Sequence, residues 1–346
     1  MGEGVKCLVW DLDNTLWRGT ALEAGSCRLR PGVRRVIEEL DRRGVLQSVA
    51  SRNEPEQVVP LLRRKHLERY FLHPQIGWGS KVRSLQAIAG RLGLALDALA
   101  LVDDEPFERE QVRKLLPEVR TYPADRVGAL PGLREFTPPA LSDESRSRRR
   151  TYRRLAARDR AGRSSGMSQT EFLVWCRTTL TLRRAVPGDL LRIRELLRRT
   201  HQLNATGVVW PAEVLGRWLE DEGRRVFVAE LRDRFVDYGR IGVAVCRRGS
   251  PSWELVVFLL SCRVLGRGIS GAMLGWVRRQ ARLDGAAELV ARFRATGRNG
   301  GMERLFRLSG LTPRSPGHDG SVRFAGPALD SLEIPRWLTL LPGGTP

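Results

Sequence analysis

The stretch VKCLVWDLDNT, residues 5–15, decides the fold of the first part of this 346-residue chain. Its apolar run over residues 5–10 is typical of a strand that is buried on both faces in a parallel sheet. Asp11 and Asp13 follow at once, and ligands of open parallel sheets bind beyond the carboxyl ends of the strands. Because two neighbouring carboxylates repel unless a cation joins them, the pair predicts a Mg²⁺ site.

The residues that follow alternate between helix and strand signals up to about residue 140. Helical spacing of apolar residues is found at 33–40, 55–65 and 81–93. Strand-like runs lie between these helices, at 45–49 and 99–102. Strands separated by helices of this length predict a doubly wound α/β sheet of Rossmann-like type.

Polar side chains also stand at the ends of the other predicted strands. Ser51, with Arg52 behind it, ends the second strand, where a hydroxyl can donate to a phosphoryl oxygen; alone, a serine here is more often a helix cap. The third strand ends in Asp103 and Asp104. Lys81 begins a helix in a chain with four lysines and 55 arginines, which suggests that a compact ammonium group is needed there.

An arginine-rich segment separates the two halves of the chain. Between Arg146 and Arg163 there are nine arginines and one acidic residue, and glycines and serines follow. This composition predicts a solvated basic helix and a linker. Its one aromatic residue, Tyr152, gives no stacking pattern, so the segment does not favour nucleic acid. We expect domains over residues 1–140 and 176–330, joined by 141–175 and followed by a frayed tail over 331–346.

The second half indicates a mixed α+β domain. Its predicted elements are strands at 180–184, 226–231, 241–246 and 255–261, and helices at 188–200, 211–219 and 270–283. Between the last strand and the last helix lies the motif Arg263-Val264-Leu265-Gly266-Arg267-Gly268. Small residues there let backbone N–H groups approach a pyrophosphate, and the helix N-terminus adds a favourable dipole.

The motifs at the strand ends resemble the four-motif signature of the haloacid dehalogenase (HAD) superfamily: Asp11-x-Asp13-x-Thr15, then Ser51, Lys81 and Asp103-Asp104. More narrowly, KCLVWDLDNTLW, LQSVASRN, PQIGWGSK and VDDEPFEREQVR resemble FkbH-like proteins of polyketide biosynthesis. The resemblance continues through THQLNATG and SCRVLGRG and covers about residues 5–325. The loop at 263–268 is similar to the RxxGxG pyrophosphate loop of GNAT-type acyltransferases.

The resemblance implies a role for each polar residue of the first domain. Asp11 would be the nucleophile that takes a phosphoryl group as an aspartyl phosphate, and Asp13 the general acid and base. The transferring phosphate would be held by Ser51, Arg52 and Lys81. The Mg²⁺ ligands would be the aspartates Asp11, Asp13, Asp103 and Asp104.

FkbH-like enzymes are understood to take the glyceryl group from 1,3-bisphosphoglycerate, remove phosphate, and leave glyceryl as a thioester on an acyl carrier protein. The product feeds unusual extender units of polyketide antibiotics. The resemblance thus implies a phosphorylated small molecule and an acyl carrier protein as partners. In this interpretation Arg263, Gly266 and Gly268 would hold coenzyme A or the phosphopantetheine arm of the carrier protein.

Acyl transfer through a thioester needs a thiolate. Cys262 immediately precedes the loop and is the predicted carrier of the glyceryl group, with ordinary packing of a buried cysteine as the alternative. Many relatives place a cysteine where this chain has Ala50, which removes one thioester site. His201 and Asn204, in THQLNATG, would lie on the acceptor side of the GNAT-like domain, with His201 as a candidate base.

Two other functions stay open from the sequence. One is a Mg²⁺-dependent phosphatase of a small metabolite, with an inactive GNAT domain. The other is a coenzyme A-dependent GNAT acyltransferase with a structural HAD domain. About 38 residues separate Asp13 from Ser51, too few for a sizeable cap, so we expect the site to admit a large partner. A protein that only binds a partner is disfavoured, because placing two acidic pairs beside Lys81 costs folding free energy that a catalytic role would explain.

Composition narrows the classes of partner and compartment. Composition bias of the genome can by itself account for the arginine excess behind the net charge of +20, but the charge still favours acidic partners, such as phosphorylated metabolites, an acidic carrier protein or nucleic acid. No apolar run approaches the ~18 residues of a membrane span, so no membrane association is expected. The beginning of the chain has no signal-peptide pattern, and the five cysteines form no CxxC pair. These features predict a cytoplasmic protein with reduced cysteines.

Overall fold

The computed structural model describes residues 4–21, 27–138, 141–317 and 320–343. The chain divides into two compact units, Met1–Arg153 and Arg154–Pro346. The division falls within a single helix, Arg148–Ser164, in the segment that the sequence predicts to be a basic helix and linker. Most of the arginine-rich segment is therefore regular helix.

The first unit is built on a parallel sheet. Its strands are β1 (Cys7–Trp10), β2 (Trp17–Arg18), β3 (Arg28–Leu29), β4 (Leu46–Ser51), β5 (Gln75–Ile76), β6 (Leu99–Asp103) and β7 (Arg120–Pro123). Its helices are α1 (Val33–Arg42), α2 (Pro55–Arg64), α3 (Lys81–Leu92), α4 (Pro106–Leu115) and α5 (Asp143–Arg146). The sheet order is β5-β4-β1-β6-β7, and β2 pairs with β3 separately. The predicted parallel α/β fold is confirmed.

Strand β1 lies at the centre of this sheet. All four of its residues are buried, and it pairs in parallel with β4 on one side and β6 on the other. The Trp10 indole N–H donates to Gln47 at 3.0 Å, so its polar atom is satisfied inside the core. Burial raises the pKa of the Cys7 thiol to about 12, as expected for a core cysteine. The strand order reverses between β1 and β6, which is where open α/β sheets bind ligands.

The second unit is α+β, as predicted. Its helices are α6 (Arg148–Ser164, shared with the first unit), α7 (Gln169–Trp175), α8 (Leu190–Arg199), α9 (Ala212–Glu220), α10 (Ile269–Leu283) and α11 (Gly300–Leu308). Its strands are β8 (Thr178–Arg184), β9 (Arg224–Arg232), β10 (Asp237–Arg247), β11 (Ser252–Leu260), β12 (Glu288–Phe293), β13 (Thr312–Pro316), β14 (Val322–Pro327) and β15 (Leu338–Pro342). They form one sheet in the order β13-β14-β12-β11-β10-β9-β8-β15, in which most neighbouring strands are antiparallel. Strands β11 and β12 are parallel, and their pairing is short: it joins residues 252–255 to residues 288–291.

The tail of the chain differs from the expectation of fraying. Strand β15 pairs in parallel with β8 at the edge of the sheet, with Leu338 opposite Thr178. Leu338 is buried in the main core of the second unit, which explains why this segment is ordered. Residues 344–346 lie outside the described residues. Across the described ranges, no helix combines the length and the apolar character that a membrane crossing requires.

Candidate active site

Polar side chains meet at the carboxyl edge of the parallel sheet. Asp11 follows β1, Ser51 ends β4 and Asp103 ends β6. These residues line a cavity of about 210 Å³. Its walls are formed by the predicted residues Asp11, Asp13, Ser51, Arg52, Lys81, Asp103 and Asp104, together with Asn14, Asn53, Glu105 and Glu108. The structure thus brings together all seven residues that the sequence analysis selected in the first unit.

The turn after β1 aims the two aspartates. Asn14 has φ of 51°, in the left-handed region that asparagine tolerates better than most residues. The Leu16 N–H donates to the Leu12 carbonyl at 2.8 Å, which closes the turn. The Asp11 N–H donates to the Val102 carbonyl at 2.9 Å, so Asp11 is still tied to the end of β6. The chain therefore changes direction between Asp11 and the next strand.

Lys81 occupies the centre of the site. It is the first residue of α3, whose preceding residue Ser80 caps the helix by accepting from the Arg83 N–H. Its buried ammonium group contacts the Asp11 carboxylate, and it lies 3.0 Å from Asp103 and 2.7 Å from the Ala50 carbonyl. An ammonium group has three N–H donors, and these three oxygens can use all of them. Lys81 therefore neutralises the buried carboxylates.

Asp11, Asp103 and Asp104 form a cluster that fits a magnesium ion. One carboxylate oxygen from each lies within 4.8 Å of the others. This upper limit admits the about 4 Å between opposite oxygen ligands of an octahedral Mg²⁺. Thr15 fixes Asp104, because its hydroxyl donates to that carboxylate at 2.9 Å and accepts from the Asp104 N–H at 2.8 Å. The donor set is the all-oxygen type that Mg²⁺ prefers.

Asp13 is not a member of that cluster, and its place among the Mg²⁺ ligands stays a prediction. Its carboxylate accepts from the Trp17 indole at 2.8 Å and from the Ala21 N–H at 3.0 Å on one oxygen. The other oxygen accepts from the Asn53 amide at 3.2 Å. These donors hold the carboxylate on the cavity wall. The sequence did not reveal this, because Trp17 and Asn53 are distant from each other along the chain.

The loop after β6 is held by a residue that the sequence analysis did not select. The Arg109 guanidinium donates to the main-chain carbonyls of Asp103 at 2.8 Å and Asp104 at 2.7 Å. The Glu105 N–H donates to the Asp103 carboxylate at 2.9 Å. These bonds fix the main chain of both acidic residues and the side chain of Asp103. The only sequence signal was the charged run EPFERE directly after the acidic pair.

Ser51 and Arg52 take different positions at the end of β4. Ser51 is buried, and its hydroxyl accepts from the Asn53 amide at 3.1 Å, so it belongs to the floor of the cavity. The Arg52 side chain is 44% exposed and forms an ion pair with Glu108 at 2.8 Å. Glu108 and Asn53 were not selected from the sequence. Both were recognised only from their contacts in the folded structure, with Arg52 and Ser51 respectively.

Burial dominates the titration of Asp11. Loss of solvation raises the pKa of Asp11 to about 7; the Lys81 ammonium opposes this rise, and Asp103 adds to it. Burial lowers the pKa of Lys81, but the carboxylates of Asp11 and Asp103 outweigh it, so the Lys81 pKa is raised overall. The folded-state pKa of Asp11 lies above its ordinary value of 3.8. Its contribution to stability is therefore complete below that value and is lost as the pH rises through about 7.

We expect Mg²⁺ binding to weaken as the pH falls below the Asp11 pKa of about 7. A proton on Asp11 competes with the metal, so the apparent affinity should fall by roughly tenfold per pH unit in that range. Titration calorimetry in buffers of different ionisation enthalpy measures both the affinity and the proton released. An affinity that stays constant from about pH 8 to about pH 6, with no proton release, would contradict this expectation.

In the second unit, the loop at 263–268 connects β11 to α10. Gly266 and Gly268 have φ of 75° and 71°, which favours glycine at both positions. At Gly266, a β-carbon would meet no atom within 4 Å, so a ligand can approach the backbone there. At Gly268 it would lie 3.3 Å from Pro335 of the tail. The loop is therefore open at Gly266, and Gly268 is also exposed although Pro335 lies close to it. Cys262 is partly exposed at its start.

Asn204 has a structural role, and its position on the acceptor side stays a prediction. It is buried, and its side-chain oxygen accepts from the N–H groups of Thr206 at 3.2 Å and Gly207 at 3.0 Å. Strand β12 pairs only with the first half of β11. The residues on either side of Asn204 bond to the second half: the Ala205 N–H donates to the Phe258 carbonyl, and the Leu260 N–H donates to the Leu203 carbonyl. Half-buried His201 begins this segment.

The fold and the site define a class: a doubly wound α/β protein with a carboxylate cluster and a buried lysine at the strand ends. No family model matches the chain. It is 32% identical over 129 residues to the human protein "Magnesium-dependent phosphatase 1", an alignment that covers 32% of this chain and 73% of that protein. The chain belongs to the family of HAD-type magnesium-dependent phosphatases.

Solved structures are also similar to the chain. The N-terminal part of BF1531 from Bacteroides fragilis, which contains a phosphatase domain complexed with Mg, is 26% identical, with a TM-score of 0.32 and coverage of 39% of this chain and 41% of that chain. The ribosomal-protein-S18-alanine N-acetyltransferase from Escherichia coli is 17% identical, with a TM-score of 0.35 and coverage of 45% and 99%. At these TM-scores, neither similarity carries a functional argument.

Proposed function

We propose that this protein is a Mg²⁺-dependent HAD-type enzyme that removes phosphate from 1,3-bisphosphoglycerate and transfers the glyceryl group to an acyl carrier protein. The observation that carries the phosphatase part is the joint placement of Asp11, Lys81 and the carboxylates of Asp103 and Asp104 around one cavity. A bound Mg²⁺ supplies positive charge for the phosphoryl oxygens, and Asp11, Asp103 and Asp104 are the residues that would hold it. The family membership supports the same chemistry.

In the proposed phosphoryl step, a carboxylate oxygen of Asp11 attacks the phosphorus atom of the phosphate ester at C3 and the bond to the C3 oxygen breaks, while the acyl phosphate at C1 is left for the acyl step. Asp13 gives a proton to the leaving oxygen and then takes one from the water that hydrolyses the aspartyl phosphate. Its three hydrogen-bond donors hold it on the cavity wall, as this role requires. Ser51, with Lys81 nearby, would stabilise the charge on the transferring group.

In the proposed acyl step, the Cys262 thiolate attacks the acyl carbon, and the bond to the acyl phosphate oxygen breaks, releasing inorganic phosphate. The thiol of the carrier protein then takes the acyl group and restores Cys262. Cys262 is partly exposed, unlike the other four cysteines, which are buried. Arg263, Gly266 and Gly268 of the adjoining loop are assigned to the phosphopantetheine arm, and at Gly266 a β-carbon would meet no atom within 4 Å.

A plain phosphatase of a small phosphorylated metabolite is the second candidate function. It is favoured by one observation: residues 203–205 form backbone hydrogen bonds with the part of β11 that β12 leaves unpaired, so this part of the strand offers few free backbone groups to a long cofactor. The same observation makes a coenzyme A-dependent acyltransferase the weaker alternative.

Loading of the carrier protein separates these candidates. We expect a phosphopantetheinylated carrier protein to gain a glyceryl mass after incubation with the enzyme, Mg²⁺ and 1,3-bisphosphoglycerate, as measured by intact mass spectrometry. Cys262→Ala should retain phosphate release and lose loading, because it removes only the thiol. The buried Cys246→Ala is the control for loss of a cysteine elsewhere in the same unit. Unchanged loading in Cys262→Ala would return Cys262 to a packing role, and phosphate release without any loading would leave the phosphatase.

A further inference from the structure

Two cations line the cavity in the described part of the chain, Lys81 and Arg52. Lys81 contacts Asp11, Asp103 and the Ala50 carbonyl, so its three donors are engaged. It has little capacity left for a part of the substrate that lies away from the reacting phosphoryl group. A second anionic group of the substrate therefore requires a different cation.

Arg52 is placed to be that cation. It directly follows Ser51, which ends β4, so its main chain is fixed at the cavity while its side chain remains 44% exposed. One of its terminal nitrogens lies 2.8 Å from Glu108. A guanidinium has further N–H donors in a planar fork that matches a carboxylate or phosphate in a bidentate manner. Arg52 can thus bind a second anion without leaving Glu108.

Glu108 adds an acceptor to the same place. Its side chain is 8% exposed and lines the cavity from α4. Its Oε1 contacts Arg52, whereas no hydrogen bond reaches Oε2 from any of the residues that the structure describes. A buried carboxylate oxygen without a donor is unfavourable, and a hydroxyl group of a ligand would satisfy it. The pair therefore offers donors for an anion next to an acceptor for a hydroxyl.

We propose that Arg52 and Glu108 form a substrate-recognition subsite, separate from the phosphoryl-transfer centre, that selects a phosphate ester carrying a second anionic group and a neighbouring hydroxyl. Arg52 binds the second anion and not the transferring phosphate that the family resemblance assigns to it, and Glu108 positions Arg52 and accepts from the hydroxyl. This inference rests on the proposed phosphatase function. It identifies the residues that recognise the part of the substrate outside the reacting phosphate.

The test compares two phosphate esters. 3-Phosphoglycerate carries a carboxylate and a hydroxyl, whereas p-nitrophenyl phosphate carries neither. For Arg52→Ala we expect kcat/KM for 3-phosphoglycerate to fall about 10- to 100-fold more than kcat/KM for p-nitrophenyl phosphate, because a charge-assisted bidentate contact is lost. Arg52→Lys, which keeps the charge and loses the fork, should fall in between. Arg113→Ala, which removes an exposed arginine paired with Glu110, is the matched control.

Glu108→Gln tests the hydroxyl contact. The wild-type enzyme should prefer 3-phosphoglycerate to 3-phosphopropionate, the phosphate ester of 3-hydroxypropionate, which lacks the second hydroxyl. Glu108→Gln should reduce that preference. A wild-type enzyme that does not distinguish the two compounds overturns the role of Glu108. Equal losses for 3-phosphoglycerate and p-nitrophenyl phosphate in Arg52→Ala, or no loss for either, overturn the role of Arg52.

Direct binding separates failure of this subsite from failure of the proposed function. If the wild-type protein with Mg²⁺ releases phosphate from no ester, the proposed function fails. Calorimetry then measures the binding of 3-phosphoglycerate and of inorganic phosphate to the wild type and to Arg52→Ala, which tests the subsite independently of turnover. Selective weakening of 3-phosphoglycerate binding in Arg52→Ala supports it, and unchanged binding overturns it.

Discussion

Asp11→Asn is expected to reduce Mg²⁺-dependent phosphate release by at least about 10⁴-fold, the scale of losses seen when a catalytic nucleophile is removed. The amide has nearly the same size as the carboxylate but is a far weaker nucleophile and a neutral metal ligand. Asp11 lies in the cavity, in contact with Lys81 and within the three-carboxylate cluster. Phosphate release from p-nitrophenyl phosphate, measured with saturating Mg²⁺, checks the result.

The same substitution should leave the folded protein intact. The neutral amide resembles the protonated carboxyl that burial favours, since the pKa of Asp11 is raised to about 7. The thermal transition without metal should therefore change little at neutral pH. Asp125→Asn, at an exposed aspartate outside the cavity, is the matched control and should keep full activity. Wild-type turnover in Asp11→Asn would exclude both the proposed transferase and the plain phosphatase.

Lys81→Met is expected to combine a loss of activity of about 10²–10³-fold with a loss of stability of about 3–5 kcal/mol. The substitution leaves the buried carboxylates of Asp11 and Asp103 facing each other without their shared cation. It also removes the donor to the Ala50 carbonyl. Urea unfolding gives the change in the free energy of unfolding, and steady-state kinetics gives the change in turnover.

The pH dependence identifies the cause of that instability. Without Lys81, one of the two carboxylates gains stability by binding a proton, so the deficit of the variant should shrink as the pH falls below neutrality. Added Mg²⁺ should also reduce the deficit, because it replaces the missing positive charge. Lys114→Met, at an exposed lysine of α4, is the matched control and should unfold like the wild type. A deficit that is independent of pH and Mg²⁺ would indicate lost packing in place of lost charge.

The sequence was sufficient to predict the frame of the first unit. The buried run that ends at Asp11 forms the central strand, and the polar residues after three strands meet because parallel strands carry their carboxyl ends to one edge. Lys81 joins them because α3 begins there. These features depend on hydrophobic pattern and on position along the chain, which are local properties.

The second unit was predictable in its elements but less so in its details. Strand β15 was expected to be a frayed tail, since a short segment between prolines and glycines carries no strong strand signal by itself. It is ordered because β8 offers an unpaired edge and a core position for Leu338. The hydrogen bonds by which the Asn204 oxygen closes a turn were likewise not predictable from the sequence. Whether it meets a ligand or its own backbone depends on the fold.

By itself, then, the sequence determined the α/β architecture, the identity of the acidic and basic residues at the strand ends, and the family. Tertiary structure alone decided the direction of each side chain. It turned Asp13 toward Trp17 and Asn53, and it placed Arg52 beside Glu108. The physical reason is that the course of a strand follows from local apolar pattern, whereas a polar side chain is oriented by donors and acceptors that the fold brings from distant parts of the chain.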